Sequence, residues 1–458
     1  DWVSPECNDS TITRYVSVTY YAYAALLMEK MSAVIGSTEK QAAYKALYEN
    51  IKEEFNRRYV NADGSLKNLT IATQTAYLLA LKFDLYATEA EKESGLSILL
   101  QKIRDNGNRL STGFIGTSVL NQTLSDVGAD DMAYTLLLQH NYPSWLYSVD
   151  QGATTIWENW DSYTIEKGFK DPGMNSFNHY AYGAVGEWIY SYMAGIMYDV
   201  NQPGFKHTIL QPTLDLSGRI TSANAVYRSP YGEISSSWSL DSDLRISYEA
   251  TVPANTTATL RLPLKNAEDQ ILLNGVPFVS DGTAKLTGYA DGCAVIELGS
   301  GSYRFRVLDK NAALPVEDIS GLPEMILAGR EVTLSGIVLP AEAGKTEISW
   351  TIADAGTTGA KLSENRLTAA APGVLELTAS VADGLSPGEA FTKTFRITVL
   401  LPGDLNRDGQ VTVSDVVALR QLIVRGDADA AEQLTGNLDD SDDSLTVADV
   451  VELRKRIV

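Results

Sequence analysis

The sequence predicts a multidomain chain with an α-helical part first, then a β-sandwich, a smaller Ig-like β-sandwich and a small α-helical unit. Three changes along the 458 residues indicate this order. Apolar residues recur at helical spacing first, short alternating runs replace them, and a duplicated Asp-rich pattern follows. The expected boundaries are 1–200, 201–310, 311–401 and 402–458.

The first part is expected to be mainly helical, apart from an irregular stretch at residues 143–179. Loops of this length inside a compact domain are usually functional or disordered, and the Trp residues here argue against disorder. A Gly-rich loop is expected at 113–118. The helices are expected around 20–31, 42–55, 73–85, 97–106, 132–140 and 181–196.

Residues 201–310 alternate apolar and polar side chains in short runs, which is typical of an antiparallel β-sandwich. Residues 313–400 repeat this style with fewer aromatic residues and predict the Ig-like sandwich, with Trp350 in its core. This second sandwich shows no paired carboxylates and no histidine, so we interpret it as a spacer.

The chain is acidic, with 37 Lys and Arg against 58 Asp and Glu and a formal net charge of −21. This balance argues against nucleic acid or an anionic membrane as the partner, because phosphate is bound by clustered cations. The two cysteines, Cys7 and Cys293, exclude a disulfide scaffold and a multi-cysteine zinc site. Since the sequence begins with Asp1 and shows no signal segment, we expect it to be a processed or excised piece.

The tail contains an acidic loop with oxygen-bearing side chains at positions 1, 3, 5 and 12 and a glycine, Gly409, at position 6. This is the pattern of an EF-hand-like Ca²⁺ loop, in which position 7 contributes its backbone carbonyl. Position 12 is Asp here and not the bidentate Glu of an EF-hand. The candidate ligands are Asp404, Asn406, Asp408, Gln410 and Asp415.

A second copy of this loop and its following helix lies about 34 residues later. It is one residue longer and lacks the glycine, so its ligand set is less defined. A solvated acidic tail is the alternative, but two copies in register argue against it. The candidate ligands of the second copy are Asn437, Asp439, Ser441 and Asp449.

The duplicated loop–helix unit resembles a type I dockerin over residues 403–458. The resemblance implies two Ca²⁺ sites on which folding of this small unit depends. It also implies binding to a cohesin module of a cellulosome scaffold, and hence a secreted, extracellular protein. The residues implied to face that partner are Val413, Ser414, Val447 and Ala448.

The irregular stretch holds Glu158 between Trp157 and Trp160. Flat aromatic faces stack on sugar rings, and a carboxylate among them binds hydroxyls or activates water. His179 follows at the start of the next helical segment. From the residues alone, the tryptophans could equally be core residues, Glu158 a buried ion-pair partner, and His179 a helix-capping histidine.

Four segments resemble bacterial α-L-rhamnosidases of glycoside hydrolase family 78, over residues 1 to about 305. They are GATTIWENWDSY, SFNHYAYGAVGEW, TGFIGTSVL and the opening DW. The resemblance implies the C-terminal portion of an (α/α)6 catalytic barrel and the β-sandwich that follows it.

The resemblance implies an inverting glycoside hydrolase that needs no cofactor for catalysis, with Glu158 as the general base. The family's general acid lies in an Asp- and Arg-rich motif that does not occur in these 458 residues. We therefore expect this span to be inactive or nearly so by itself. The residues implied to line the rhamnose pocket are Asp1, Trp2, Trp157, Trp160 and His179.

The function predicted from the sequence is release of terminal α-L-rhamnose from plant polysaccharides or glycoconjugates by an enzyme tethered to a cellulosome scaffold. One alternative is a scaffold-anchored protein whose domains bind carbohydrate without catalysis. Another is a different (α/α)6 glycosidase or a lyase.

Overall fold

The computed structural model describes residues 1, 3–5, 10–68, 70–312, 314–341, 343–386, 388–439 and 444–457. The chain forms two compact units, Asp1–Leu308 and Asp309–Val458. In the described part of the chain, no helix combines the length and the apolar character needed to cross a membrane.

The first unit begins with helices that are joined by short connections. They are α1 (Ser10–Val34), α2 (Thr38–Tyr59), α3 (Gln74–Lys82), α4 (Glu89–Asp105), α5 (Phe114–Asp126), α6 (Asp130–Leu137) and α7 (Trp145–Asp150). A two-stranded ribbon follows, formed by β1 (Tyr163–Thr164) and β2 (Gly168–Phe169). A final helical segment runs from a 3₁₀ turn at Ala181–Ala184 through α8 (Val185–Trp188) into a π turn at Ile189–Met193.

Helix α3 is the most buried helix of this part, because every residue from Gln74 to Leu81 is buried. The Thr73 hydroxyl accepts the backbone N–H of Ala76 and caps the helix. Thr88 and Glu91 form a reciprocal capping box at the start of α4. The caps and the buried faces thus explain why these segments are helical.

The structure corrects two predictions for this part. The expected Gly-rich loop at 113–118 is mostly helix, since α5 begins at Phe114 with Gly113 as its N-cap. The irregular stretch 143–179 contains the short helix α7, which the Ser144 hydroxyl caps. The six segments with helical spacing do lie on helical elements.

The β part of the first unit has a six-stranded sheet of order β10-β9-β13-β7-β6-β5 and a five-stranded sheet of order β11-β12-β8-β4-β3. The strand pairs are antiparallel except for β4 with β8, which is parallel and was not predicted. The strands are β3 (Ile196–Tyr198), β4 (His207–Leu210), β5 (Ser222–Ser229), β6 (Gly232–Leu240), β7 (Ile246–Val252), β8 (Thr257–Pro263), β9 (Gln270–Leu273), β10 (Val276–Pro277), β11 (Ala284–Ala290), β12 (Cys293–Leu298) and β13 (Gly301–Leu308).

One hydrophobic core joins the helices to these sheets. Buried Trp238 on β6 donates its indole N–H to the carbonyl of Met193 at 2.7 Å. The neighbouring Ser236 hydroxyl donates to the Ala194 carbonyl at 2.5 Å. The end of the helical part is therefore fixed on the sheet.

The second unit begins with a β domain of a four-stranded sheet, a three-stranded sheet and a two-stranded pair among the described residues. Trp350, expected in its core, is half-buried and packs against the apolar residues of this domain. The strands are β14 (Asp318–Ser320), β15 (Met325–Leu327), β16 (Glu331–Thr333), β17 (Ile337–Leu339), β18 (Ser349–Asp354), β19 (Lys361–Ser363), β20 (Arg366–Thr368), β21 (Gly373–Ser386) and β22 (Glu389–Leu400).

The tail contains three helices in its described residues: α9 (Val413–Arg425), α10 (Ala430–Gly436) and α11 (Val447–Ile457). Helices α9 and α11 follow the two acidic loops as expected, whereas α10 between them was not predicted. Leu419 and Leu453, both fully buried, lie in a small apolar core that these helices share.

Candidate active site

Two of the motif segments lie side by side in the first unit. The backbone N–H of Glu158 donates to the Ser176 carbonyl at 2.8 Å, and that of His179 donates to the Ile156 carbonyl at 2.9 Å. The structure therefore brings the segments of Glu158 and His179 together, although about twenty residues separate them.

The Glu158 side chain is half-buried. Within the described residues its carboxylate has no hydrogen-bond partner and no ion pair, which leaves its oxygens available to a ligand or to water. Nearby Asp161 forms an ion pair with Lys170 at 2.7 Å. Glu158 and Asp161 therefore differ, since of these two carboxylates only that of Asp161 is paired with a cation.

Trp160 lies in a packed aromatic cluster with Tyr182 and Trp145. Its ring stacks on Tyr182 with a centroid distance of 3.7 Å, and the edge of Trp145 contacts it at 5.4 Å. The Trp145 indole N–H donates to the Tyr182 carbonyl at 2.8 Å, and the Ser148 hydroxyl donates to the Trp160 carbonyl at 2.8 Å. These contacts fix both rings.

Trp157 and Trp160 were expected to stack on sugar, but in this structure neither indole has an open face. Their residues are 6% and 4% exposed, and the Trp157 ring packs against the edge of Phe177 at 5.4 Å. Aromatic rings stabilise a fold most when their large apolar surface is buried, which explains this arrangement. Sugar binding by either residue stays a prediction.

Tyr182 and Trp160 also carry buried polar atoms with no partner among the described residues. The Tyr182 hydroxyl and the Trp160 indole nitrogen both lack a hydrogen bond. Burial raises the pKa of the Tyr182 phenol well above its usual value. The charges of Tyr142, Asp161 and Glu158 raise this pKa further.

His179 is half-buried and stacks on Phe114 with a centroid distance of 4.7 Å. Its Nδ1 accepts the backbone N–H of Ala181 at 3.3 Å, which is the capping contact considered as an alternative from the sequence. Nε2 has no partner among the described residues, so the ring keeps one nitrogen for a ligand.

Asp1 is 9% exposed, and protein groups occupy both of its carboxylate oxygens. Oδ2 accepts the Thr75 hydroxyl and the Gly113 N–H, both at 2.6 Å, and Oδ1 accepts the Ile115 N–H at 2.9 Å. Asp1 thus stabilises the positive end of α5, directly beside Phe114. Its predicted contact with rhamnose stays a prediction, and Trp2 lies outside the described residues.

The sequence pointed to Glu158 and His179 but missed Phe114 and Tyr142. Phe114 lies in the segment first taken for a loop, and Tyr142 immediately precedes the irregular stretch. Phe114 lies in the TGFIGTSVL segment that carries the resemblance, but its stacking on His179 arises only from tertiary packing.

The first acidic loop of the tail has side-chain oxygens directed into the loop. Asp404 accepts the N–H groups of Asp408 and Gly409 at 3.1 and 2.9 Å, and Gly409 has a φ of 88°. Asp415 accepts three backbone N–H groups at 2.8–3.2 Å, from Leu405, Asn406 and Thr412.

This donor set has the hard oxygen chemistry that Ca²⁺ requires. However, no three Asp, Glu, His or Cys side chains among the described residues lie close enough together to hold a metal ion. Bound Ca²⁺ would therefore have to draw Asp404, Asp408 and Asp415 together, with Asn406 and the Gln410 carbonyl completing the shell.

The second loop repeats part of this arrangement in its described residues. Buried Asp449 accepts the N–H groups of Leu438, Asp439 and Thr446 at 2.7–3.0 Å. Burial alone would raise the pKa of Asp449, but these hydrogen bonds outweigh burial and lower it. Asn437 and Asp439 lie at the start of the loop, and Ser441 lies outside the described residues.

All four residues implied to face a partner are exposed, namely Val413, Ser414, Val447 and Ala448. Val413 and Val447 are 66% and 70% exposed, a high value for apolar side chains at two equivalent positions of the repeat.

Comparison with known families decides the relationship of the first unit. Residues 1–193 match the model of the bacterial alpha-L-rhamnosidase 6 hairpin glycosidase domain, and residues 195–272 match that of the bacterial alpha-L-rhamnosidase C-terminal domain. The chain carries bacterial α-L-rhamnosidase domains. The family predicted from the four sequence segments is thereby confirmed for these residues, as is a helical domain followed by β-sheet domains.

Two curated α-L-rhamnosidases are clearly similar to these domains. The chain is 42% identical over 273 residues to one from Formosa agariphila, which covers 58% of this chain and 29% of that protein. It is 38% identical over 307 residues to one from Streptomyces avermitilis, which covers 67% of this chain and 28% of that protein. The chain thus spans less than a third of the length of these rhamnosidases.

Solved rhamnosidase structures show the same relationship. The Streptomyces avermitilis α-L-rhamnosidase complexed with L-rhamnose matches with a TM-score of 0.60 and 36% identity, over 67% of this chain and 28% of that one. The Aspergillus terreus α-L-rhamnosidase matches with a TM-score of 0.54 and 30% identity, over 63% of this chain and 30% of that one.

Proposed function

We propose that this chain is part of an inverting glycoside hydrolase that releases terminal α-L-rhamnose from plant polysaccharides or glycoconjugates, with Glu158 as the general base. The observation that carries the proposal is the similarity of its first unit to a rhamnosidase complexed with L-rhamnose. The unpaired, half-buried carboxylate of Glu158 supports the assignment, because a general base must be free to accept a proton from water.

Inversion requires a second carboxylic acid on the opposite side of the sugar, roughly 6.5–9.5 Å from the base. Asp161 lies three residues after Glu158, but its carboxylate is already engaged in an ion pair with Lys170 at 2.7 Å. The acid motif implied by the family does not occur in these 458 residues. The proposal therefore assigns the base, and not the acid, to this chain.

Phenyl α-L-rhamnoside and L-rhamnose test this assignment together. We expect the purified 458-residue chain to bind L-rhamnose in calorimetry but to release little or no phenol, because the phenolate leaving group requires the acid. Substantial release of phenol would mean that the 458-residue chain itself supplies a general acid, and this would contradict the assignment. If the chain bound D-galactose as tightly as L-rhamnose, the proposal that rhamnose is the sugar it recognises would be contradicted.

We also propose that the tail binds Ca²⁺ and tethers a secreted enzyme to a cohesin module of a cellulosome scaffold. The exposed Val413 and Val447 support a binding surface at equivalent positions of the repeat. Binding of a type I cohesin should be lost in EDTA and in the double variant Val413→Asp, Val447→Asp. The exposed Val424→Asp, at the far end of α9, serves as the control.

A further inference from the structure

A cleft of about 230 Å³ lies in the β part of the first unit, where β8 and β11 end and β12 begins. One wall is the segment 264–267, which follows β8, and the other is the turn that joins β11 to β12. The described residues that line it all come from the β part, so the cleft shares no residue with the candidate active site.

Hydrogen bonds hold both walls of the cleft in place. The Leu264 N–H donates to the Gly292 carbonyl at 2.9 Å and joins the two walls. Beside it, the Asp269 carboxylate accepts the N–H groups of Lys265 and Asn266 at 3.1 and 2.9 Å. A site whose walls are already ordered loses less entropy when a ligand binds, and this favours binding.

Tyr289 supplies an aromatic ring at the wall of this cleft. The residue is 59% exposed although it lies on strand β11, and its hydroxyl has no hydrogen-bond partner among the described residues. Its partner across the strand pair is Ala294, a small and fully buried residue that covers little of the ring. A ring with an open apolar face and a polar tip suits a ligand that is also apolar on one side and polar on the other.

Two side chains of the same cleft can accept hydrogen bonds from such a ligand. Asn266 donates from Nδ2 to Asp269 at 3.4 Å, which leaves its Oδ1 without a partner in the described part of the chain. Asp291 uses one of its two carboxylate oxygens in an ion pair and keeps the other for a ligand. Hydroxyl groups are the donors that amide and carboxylate oxygens of this kind accept.

The charged groups at the cleft are already engaged by protein groups. Asp291 pairs with Arg261 at 3.2 Å, and the Lys265 ammonium donates to the Asp243 carbonyl at 2.8 Å. A charged ligand would have to displace one of these contacts, whereas a neutral one would not. The cleft therefore favours an uncharged ligand.

We propose that this cleft is a carbohydrate-binding site outside the candidate active site, where a neutral sugar ring of a polysaccharide stacks on Tyr289. Asn266 and Asp291 accept hydrogen bonds from the hydroxyl groups of that sugar. The volume lies below the roughly 300–1,000 Å³ of clefts that hold drug-sized ligands, so the cleft suits one or two sugar rings. The inference goes beyond the proposed function, because it does not involve Glu158.

Native gel electrophoresis through mixed-linkage β-glucan and through carboxymethylcellulose tests the proposal. Both polymers consist of β-linked glucose, whose equatorial hydroxyls leave C–H groups on each face of the ring, but only the second carries carboxylates. We expect β-glucan to slow the 458-residue chain relative to a gel without polymer, and carboxymethylcellulose to slow it little. The dissociation constant follows from the migration at several polymer concentrations.

Tyr289→Ala should weaken the binding of β-glucan at least about fivefold, because one exposed ring supplies the stacking. Tyr289→Phe keeps the ring and should retain most of the binding. The matched control is Tyr231→Ala, since Tyr231 is also an exposed tyrosine of the β part but lies outside the cleft. Asn266→Ala should weaken binding by a smaller factor, and it keeps the proposal testable if loss of the Tyr289 ring disturbs β11.

Equal migration of the unsubstituted chain with and without β-glucan would overturn the proposal. Binding that survives in both Tyr289→Ala and Asn266→Ala would overturn it too, as would a loss of binding in Tyr231→Ala as large as that in Tyr289→Ala. Retardation by carboxymethylcellulose as strong as that by β-glucan would contradict a neutral ligand.

Discussion

At the scale of single residues, the candidate site contains the Asp1 carboxylate, which accepts several hydrogen bonds, and the Tyr182 phenol, which forms none among the described residues. Asp1 accepts three hydrogen bonds from Thr75, Gly113 and Ile115. The buried Tyr182 hydroxyl has no partner among the described residues. A buried polar group without a partner lowers stability, and such groups persist where they serve a ligand.

Tyr182→Phe should therefore raise the free energy of unfolding by about 1 kcal/mol, because it removes a buried hydroxyl that forms no bond. The matched control is Tyr134→Phe, since the buried Tyr134 donates to the Thr213 carbonyl at 2.6 Å. This control should lower the free energy of unfolding, measured in urea, by about 1 kcal/mol. Equal destabilisation of both variants would contradict an unpaired Tyr182.

Asp1→Ala should destabilise the first unit by about 2–4 kcal/mol, because it leaves three donors at α5 and Thr75 without their acceptor. Asp150→Ala removes an exposed carboxylate paired with His140 and should change stability by less than about 1 kcal/mol. Urea unfolding followed by Trp fluorescence compares the two. If Asp1→Ala lowered the free energy of unfolding no more than Asp150→Ala does, the buried contacts of Asp1 would be contradicted.

Glu158 and His179 were identified because they lie in segments that resemble a known family, whereas their residue types alone left a structural role equally open. The sequence did not identify the stacking of Phe114 on His179, or Tyr142, whose charge raises the pKa of Tyr182. Their roles arise from contacts between distant segments, and no local periodicity records such contacts. Trp157 and Trp160, which the resemblance implied to line the pocket and the residues alone left equally open as core residues, are buried.

At the scale of elements, helix α5 shows how packing overrides local propensity. Glycine disfavours helix, so the segment from Gly113 to Gly116 was expected to be a loop. In the structure a Cβ at Gly116 would collide with the Thr75 hydroxyl and come within 2.8 Å of Thr112 Cβ. The glycine is required because α5 packs closely on α3 at this point.

Gly116→Ala should therefore destabilise the first unit by about 1–3 kcal/mol, since the added methyl group has no space. Gly186→Ala is the matched control, because Gly186 is also helical and a Cβ there would meet nothing within 4 Å. The control should be neutral or stabilising by up to about 1 kcal/mol. A thermal unfolding series in which both variants behave alike would contradict the close packing of α5.

At the scale of the whole molecule, the order of helical and β parts follows from the sequence, whereas the strand pairing does not. Periodicity distinguishes a helix from a strand, but it does not indicate which strands pair. The parallel pairing of β4 with β8 was missed for this reason. The duplicated tail was recognised because two copies of one pattern stand in register.

Calcium should stabilise the second unit and leave the first unit unchanged, because the acidic loops lie only in the tail. We expect Ca²⁺ to raise the midpoint temperature of one calorimetric unfolding transition and EDTA to lower it, because bound metal supplies folding free energy. Asp404→Ala should abolish much of this shift. Asp427→Ala, an exposed carboxylate paired with Arg425 outside both loops, should not. A calcium shift retained in Asp404→Ala would contradict the first site.

The most direct test of the account is the hydrolysis of 2,4-dinitrophenyl α-L-rhamnoside by the 458-residue chain and its Glu158→Gln variant. This leaving group departs without protonation, so the reaction requires the general base but no general acid. Glu166→Gln, an exposed carboxylate in the same loop, is the control. The account predicts a rate at least about 100-fold lower in Glu158→Gln and unchanged in Glu166→Gln. Equal rates for Glu158→Gln and the unsubstituted chain would contradict it.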